Sequence, residues 1–86
     1  MEAGGIEDAI GLLEKAIKMN HAIVGEDHLS NCTIFMSMSK AYVKKKDYSK
    51  ALDSLTSVWE LQEAHFGMKH ESIAEVYVEM AKVYYK

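Results

Sequence analysis

The sequence predicts an all-α fold, an αα-hairpin solenoid of four antiparallel helices, on three observations. Apolar residues recur at i, i+3 and i+4 along nearly the whole chain, the spacing that gathers one apolar stripe on a helix. No proline occurs among the 86 residues, so the commonest interruption of a helix is missing. The third observation is an internal repeat with an offset of 42 residues. Ala9, Leu13, Ala22, Gly25, His28, Ser30, Met38, Lys40, Tyr42 and Lys44 recur as Ala51, Leu55, Ala64, Gly67, His70, Ser72, Met80, Lys82, Tyr84 and Lys86. A period of this size marks stacked supersecondary units, because one short helical hairpin cannot bury its apolar face alone.

Helix one is expected over 6–24, carrying Ile6, Ala9, Ile10, Leu13, Ala16, Ile17 and Ile23. Glu7 and Asp8 are expected in its first turn, where negative charge suits the positive end of the helix dipole. Gly25 follows where a left-handed residue ends a helix, and Asp27, His28 and Ser30 offer side chains to cap the next one. Helix two, 28–45, presents Phe35, Met38, Ser39 and Tyr42 on one face and ends in Lys44, Lys45 and Lys46, cations suited to the carboxyl end of the dipole. Asp47 starts helix three, 47–66, which presents Tyr48, Ala51, Leu55, Val58 and Trp59. Helix four, 70–85, transposes the second, with Tyr77, Met80, Ala81 and Tyr84 as its face. The connections are short, so successive helices are antiparallel neighbours.

Composition bounds the function. Eighty-six residues make one module, too small for a deep catalytic cleft as well as a core. A net charge of -3 and a pI near 5.7 argue against nucleic acid, whose phosphates need a basic face. The single cysteine, Cys32, cannot form an internal disulfide, and no apolar run reaches the length of a membrane span or a signal peptide. The expectation is a soluble, cytoplasmic chain with no membrane contact.

At this point the chain resembles the tetratricopeptide repeat (TPR) superfamily, in which an aromatic-x2-Leu-Gly-x2-Tyr helix pairs with an Ala-x3-aromatic helix. Phe35-x2-Met38-Ser39-x2-Tyr42 is followed here by Ala51-x3-Leu55, Ala9-x3-Leu13 precedes them, and Tyr77-x2-Met80-Ala81-x2-Tyr84 comes last. The 42-residue period exceeds the family's common value of about 34. With Gly25-x2-His28 and Gly67-x2-His70 between helices, it resembles the kinesin-light-chain type. The resemblance implies a fragment of a right-handed superhelix: a second-half helix (6–24), one complete repeat (28–66) and a first-half helix (70–85), cut from a longer array with flanking repeats. It also implies that Ile6, Leu13, Tyr77, Met80 and Tyr84 are only partly covered, leaving ends that self-associate weakly.

Departures from the family pattern bear on the ligand. The paired asparagines with which the kinesin-light-chain type holds the backbone of a bound peptide are replaced by Met36 and Ser37, then by Val78 and Glu79. The family's proline after the loop histidine is replaced by Leu29 and Glu71, and its glycine by Ser39 and Ala81, still small.

Stepping about 100 degrees per residue from Phe35 places Thr33, Met36, Lys40, Val43 and Lys44 on a stripe beside the core face, with Glu75, Val78, Lys82, Tyr85 and Lys86 on helix four. In the family that stripe lines the concave groove, so these ten residues are the candidate partner-binding site. Lys40, Lys44, Lys82 and Lys86 are repeat equivalents, and such a strip favours an acidic peptide or a free carboxylate. Charged residues near helix ends equally serve solubility and the dipole, the more economical reading of lysines alone.

Other chemistry finds less support. His28 and Cys32 are four apart on the expected helix two, but two ligands do not make a structural zinc site, and Cys32 recurs as Ala74. His28 and His70 read as loop-capping residues, and Cys32 as a small buried hydrophobe. There is no glycine-rich phosphate loop and no nucleophile with a nearby base, so no catalysis, cofactor or metal is expected. The sequence points to a non-catalytic scaffold docking a peptide or partner protein. The alternative is a structural spacer or self-association segment within a larger multidomain protein.

Overall fold

A computed structural model describes residues 3–67 and 71–85. The described residues form four helices and no strand: α1 (Ala3–Val24), α2 (Asn31–Lys45), α3 (Tyr48–Phe66) and α4 (Glu71–Tyr84). Each helix packs on its neighbour in sequence, α1 on α2, α2 on α3 and α3 on α4. The result is a slab of 38 × 34 × 16 Å.

The helix ends follow local chemistry. Gly25 at φ +91° closes α1, donating its N–H to the His21 carbonyl at 2.9 Å. Gly67 at φ +84° closes α3 on the Glu63 carbonyl at 2.9 Å. Both conformations suit glycine, which has no Cβ to clash with the backbone. Lys46 ends α2 in the same left-handed region, at φ 68° and ψ 24°, although it carries a side chain. Asp47 caps α3, its Oδ1 accepting from the Lys50 N–H at 3.3 Å.

The starts of α1 and α2 each differ by three residues from the sequence reading. α1 begins at Ala3 rather than residue 6, so Glu7 and Asp8 lie beyond its first turn. Glu7 instead reaches across to α2, its Oε1 lying 2.7 Å from Lys45 Nζ. α2 begins at Asn31 rather than 28, because the backbone from Gly25 to Ser30 is held as a turn by side-chain bonds. His28 is therefore off the helix and shares no helical face with Cys32. α4 begins at Glu71, and the expected loop residue His70 lies outside the described residues.

The turn is organised by Asn31, whose residue surface is 0% exposed. Its Nδ2 donates to the carbonyls of Gly25 and Glu26, both at 3.0 Å, and its Oδ1 accepts from Asn20 Nδ2 of α1 at 2.7 Å. Asn20 Nδ2 also donates to Ser30 Oγ at 2.9 Å. Ser30 occupies the N-cap position without making a cap bond. Its hydroxyl lies 2.8 Å from His28 Nδ1, the atom that also accepts the Ser30 N–H at 3.1 Å. His28 thus braces the turn locally, and from α3 His65 Nε2 donates to the Asp27 carbonyl at 2.7 Å. Satisfying a buried amide in this way avoids the desolvation cost of leaving it unpaired, about 1–3 kcal/mol per group.

The core runs through the slab from Ile10 and Ile17 to Cys32, Met38 and Tyr42, then Ala51, Leu55, Val58 and Leu61, and finally Val76 and Val83. α3 is its centre, since Ala51, Leu55 and Val58 are almost wholly covered by helices on either side. On α4 the face read from the repeat is poorly covered, in line with the expectation that Tyr77, Met80 and Tyr84 are only partly covered, and the burial falls to residues the repeat does not single out. Val76 and Val83 are buried and Met80 is half-buried, whereas Tyr77, Ala81 and Tyr84 are exposed. α2 packs between two helices and buries a broad arc, while α4 packs on α3 and buries a narrower one. Ile23, expected on the buried stripe of α1, is likewise exposed.

Candidate docking groove

α2 and α4 form the walls of a groove, with Leu55 of α3 in its floor. Two depressions run along it. One, of about 290 Å³, lies over Ser39, Lys40, Val43, Lys44, Leu55, Glu79, Lys82 and Val83. The other, of about 420 Å³, lies between Met36 and Lys40 on one wall and Ala74, Glu75, Val78 and Glu79 on the opposite one. The walls face each other because α2 and α4 both pack on α3, and the repeat offset sets corresponding positions on both helices.

Seven of the ten residues read from the sequence line these depressions: Met36, Lys40, Val43 and Lys44 on α2, and Glu75, Val78 and Lys82 on α4. Thr33 is exposed and lines neither depression. Tyr85 lies past the end of α4, 91% exposed, also outside both. Lys86 lies outside the described residues.

The structure adds Ser39, Leu55, Ala74, Glu79 and Val83. Ser39 is buried and its Oγ donates to the Met36 carbonyl at 2.8 Å, leaving the α2 wall smooth where a larger side chain would fill the groove. Glu79 matters electrostatically, since its Oε1 lies 3.3 Å from Lys82 Nζ. Glu75, Val78, Glu79 and Lys82 follow i, i+3, i+4, i+7 spacing, so a helical projection of α4 alone places Glu79 with the others.

The charge pattern of the groove is therefore mixed. Lys40 and Lys44 stand along the α2 wall, while Lys82 on the α4 wall is partly neutralised by Glu79, with Glu75 one turn earlier. Met36, Val43, Val78 and Val83 supply apolar surface between these charges. Such a surface suits an extended segment that offers small apolar side chains with carboxylate on the α2 side.

A separate cleft of about 520 Å³ lies beside the α1–α2 turn, among His21, Glu26, Asp27, Phe35, Glu60 and His65. The His21 and Phe35 rings are tilted at 52° with centroids 6.3 Å apart. Among the described residues, no group of three or more His, Cys, Asp or Glu side chains is placed to hold a metal ion. Cys32 is a free, buried thiol against the Val58 carbonyl at 4.0 Å, and burial pushes its pKa up, away from a reactive thiolate. No helix of the described residues is long and apolar enough to cross a membrane.

The fold and groove define an all-helical chain with a surface cleft between alternate helices. In comparisons with known proteins, no family model and no curated protein matches the chain.

Proposed function

We propose that this chain is a stacked αα-hairpin module of the tetratricopeptide type, with the longer kinesin-light-chain-like repeat. In this reading it is a non-catalytic scaffold that docks an extended segment of a cytoplasmic partner protein in the groove between α2 and α4. The observation that carries the reading is the agreement between two independent routes to one surface. The stripe read from repeat phase and the depressions between α2 and α4 share Met36, Lys40, Val43, Lys44, Glu75, Val78 and Lys82.

The distribution of charge refines the ligand. Lys40 and Lys44 lie one helical turn apart, a spacing that lets two ammonium groups meet one carboxylate or two adjacent ones. The bound segment is then acidic where it passes α2 and apolar where it passes Val78 and Val83. The test is a chemical-shift titration of the folded chain with short peptides carrying one or two carboxylates beside a valine or leucine. Shifts concentrated on α2 and α4 at Lys40, Val43, Val78 and Lys82 support the reading; shifts confined to the outer faces of α1 and α4, or none, reject it.

A further inference from the structure

The cleft beside the α1–α2 turn lies apart from the groove between α2 and α4, and no residue lines both. Within its volume of about 520 Å³, half-buried Phe35 and buried Leu61 supply apolar surface, and His21, its ring tilted against that of Phe35, extends the aromatic part. Around this surface stand Glu26 and Asp27 of the turn and Glu60 of α3, all exposed. Among the described residues none of these three carboxylates is in an ion pair, and no lysine lines the cleft.

The hydrogen-bonding capacity of the cleft is as one-sided as its charge. His65 commits its Nε2 proton to the Asp27 carbonyl at 2.7 Å, and the Ser57 hydroxyl donates to the Asp53 carbonyl at 3.2 Å. The neutral His65 ring is left with an acceptor nitrogen, and ionised carboxylates only accept. His21 and His65 stand in the last turns of α1 and α3, so the carboxyl ends of two helix dipoles, which favour cations, adjoin the cleft. The amino end of α2 offsets little of this, because the N–H groups of Asn31 and Cys32 already bond the His28 and Leu29 carbonyls.

We infer that this cleft receives the guanidinium of an arginine on a partner protein. That group is a flat, weakly hydrated cation with N–H donors along its edges; it stacks its face on an aromatic ring while its edges bond carboxylates. A lysine ammonium matches the charge and leaves the ring face unused. The 86 residues contain no arginine, so a second copy of them is not the occupant. The site is also held ready: the carbonyls of Gly25, Glu26 and Asp27 are each fixed by a hydrogen bond, two from Asn31 and one from His65, so the turn that carries two of the carboxylates needs no rearrangement to bind.

The test is an amide chemical-shift titration of the folded chain with a short glycine peptide, blocked at both ends and bearing one arginine, and with its lysine and citrulline counterparts, each taken to about 10 mM. The arginine peptide is expected to shift His21, Phe35, Glu60 and His65 and to leave Lys40 and Val78 unmoved. The lysine peptide is expected to bind about threefold more weakly or worse, and the citrulline peptide, which keeps the shape and loses the charge, not to saturate. Glu26→Gln and Glu60→Gln are each expected to weaken arginine binding about three- to tenfold, with circular dichroism unchanged because both side chains are exposed. Equal binding of the arginine peptide and either counterpart overturns guanidinium recognition. No shift, shifts at the α2–α4 groove instead, or a Glu→Gln variant that binds as tightly as the parent overturns the site. The groove is probed with acidic peptides and read at other residues, so either assignment can fail without the other.

Discussion

Asn20 on α1 and Asn31 at the start of α2 face each other across 2.7 Å, amide nitrogen to amide oxygen, and fix the path of the turn between the two helices. Asn31 is the only residue among those described that ties this amide contact to two successive backbone carbonyls, those of Gly25 and Glu26. Removing its side chain leaves those carbonyls without their side-chain partner and the Asn20 amide with its bond to Ser30 Oγ alone. Asn31→Ala is expected to lower unfolding free energy by about 2–3 kcal/mol, read from urea denaturation. Asn31→Asp, which keeps the shape and loses both donors, is expected to cost a comparable amount. A loss below about 0.5 kcal/mol for Asn31→Ala contradicts the assigned role.

Lys46 holds a left-handed backbone conformation that costs an L-residue roughly 1–2 kcal/mol. Lys46→Gly relieves that strain while adding backbone freedom to the unfolded chain. The expected net gain is about 0.5–1 kcal/mol, with unchanged helicity, measured as a higher denaturation midpoint at constant slope.

Alkaline pH is expected to weaken the fold from two neighbouring groups. Burial raises the Tyr42 phenol above its usual 10.0, helped by the negative charge of Glu14 and the bond to its carboxylate. The hydrogen bond to Glu7 raises Lys45 above its usual 10.5. Each group has a raised pKa in the folded state, so its contribution is fully present below the unfolded value and lost as pH rises through the folded one. The denaturation midpoint should be flat with respect to these groups up to about pH 9.5 and fall above it. Tyr42→Phe and Lys45→Met should each flatten that fall; equal slopes in all three chains would refute the assignment.

In the groove, Lys40→Glu reverses the charge on the α2 wall where the two depressions meet. Affinity for an acidic peptide is expected to fall about tenfold, while Glu79→Gln, which releases Lys82 from its partner, should raise it two- to threefold or about that. Both residues are accessible in the folded chain, so circular dichroism should be unchanged. Calorimetry with one peptide across the three proteins decides the point.

Much of the fold was legible in the residues themselves. Apolar spacing and the echo between Ala9–Lys44 and Ala51–Lys86 locate all four helices, and Gly25, Gly67 and Asp47 mark their ends where they occur. The role of Asn31 was not legible, because periodicity weighs apolar residues and the echo is silent at this site, where the counterpart is Ile73. The repeat is equally silent on Val76 and Val83, the residues that α4 buries. Copying Tyr77, Ala81 and Tyr84 from α2 assumes that both helices have the same neighbours, and burial depends on neighbours as well as on pattern. The groove lysines were found by helical projection, but the pairing of Lys82 with Glu79 required the side chains.

Leu55 lies at the bottom of the groove and is also among the most deeply covered residues of the core. α2 and α4 stand apart by the thickness of what α3 places between them, so Leu55 acts as a spacer gauge for the proposed docking surface. A change of side-chain volume there alters stability and jaw width together. On the proposed docking reading, selection for a different ligand girth can act on a residue that no ligand needs to touch, and the hydrophobic interior becomes part of the molecule's specificity.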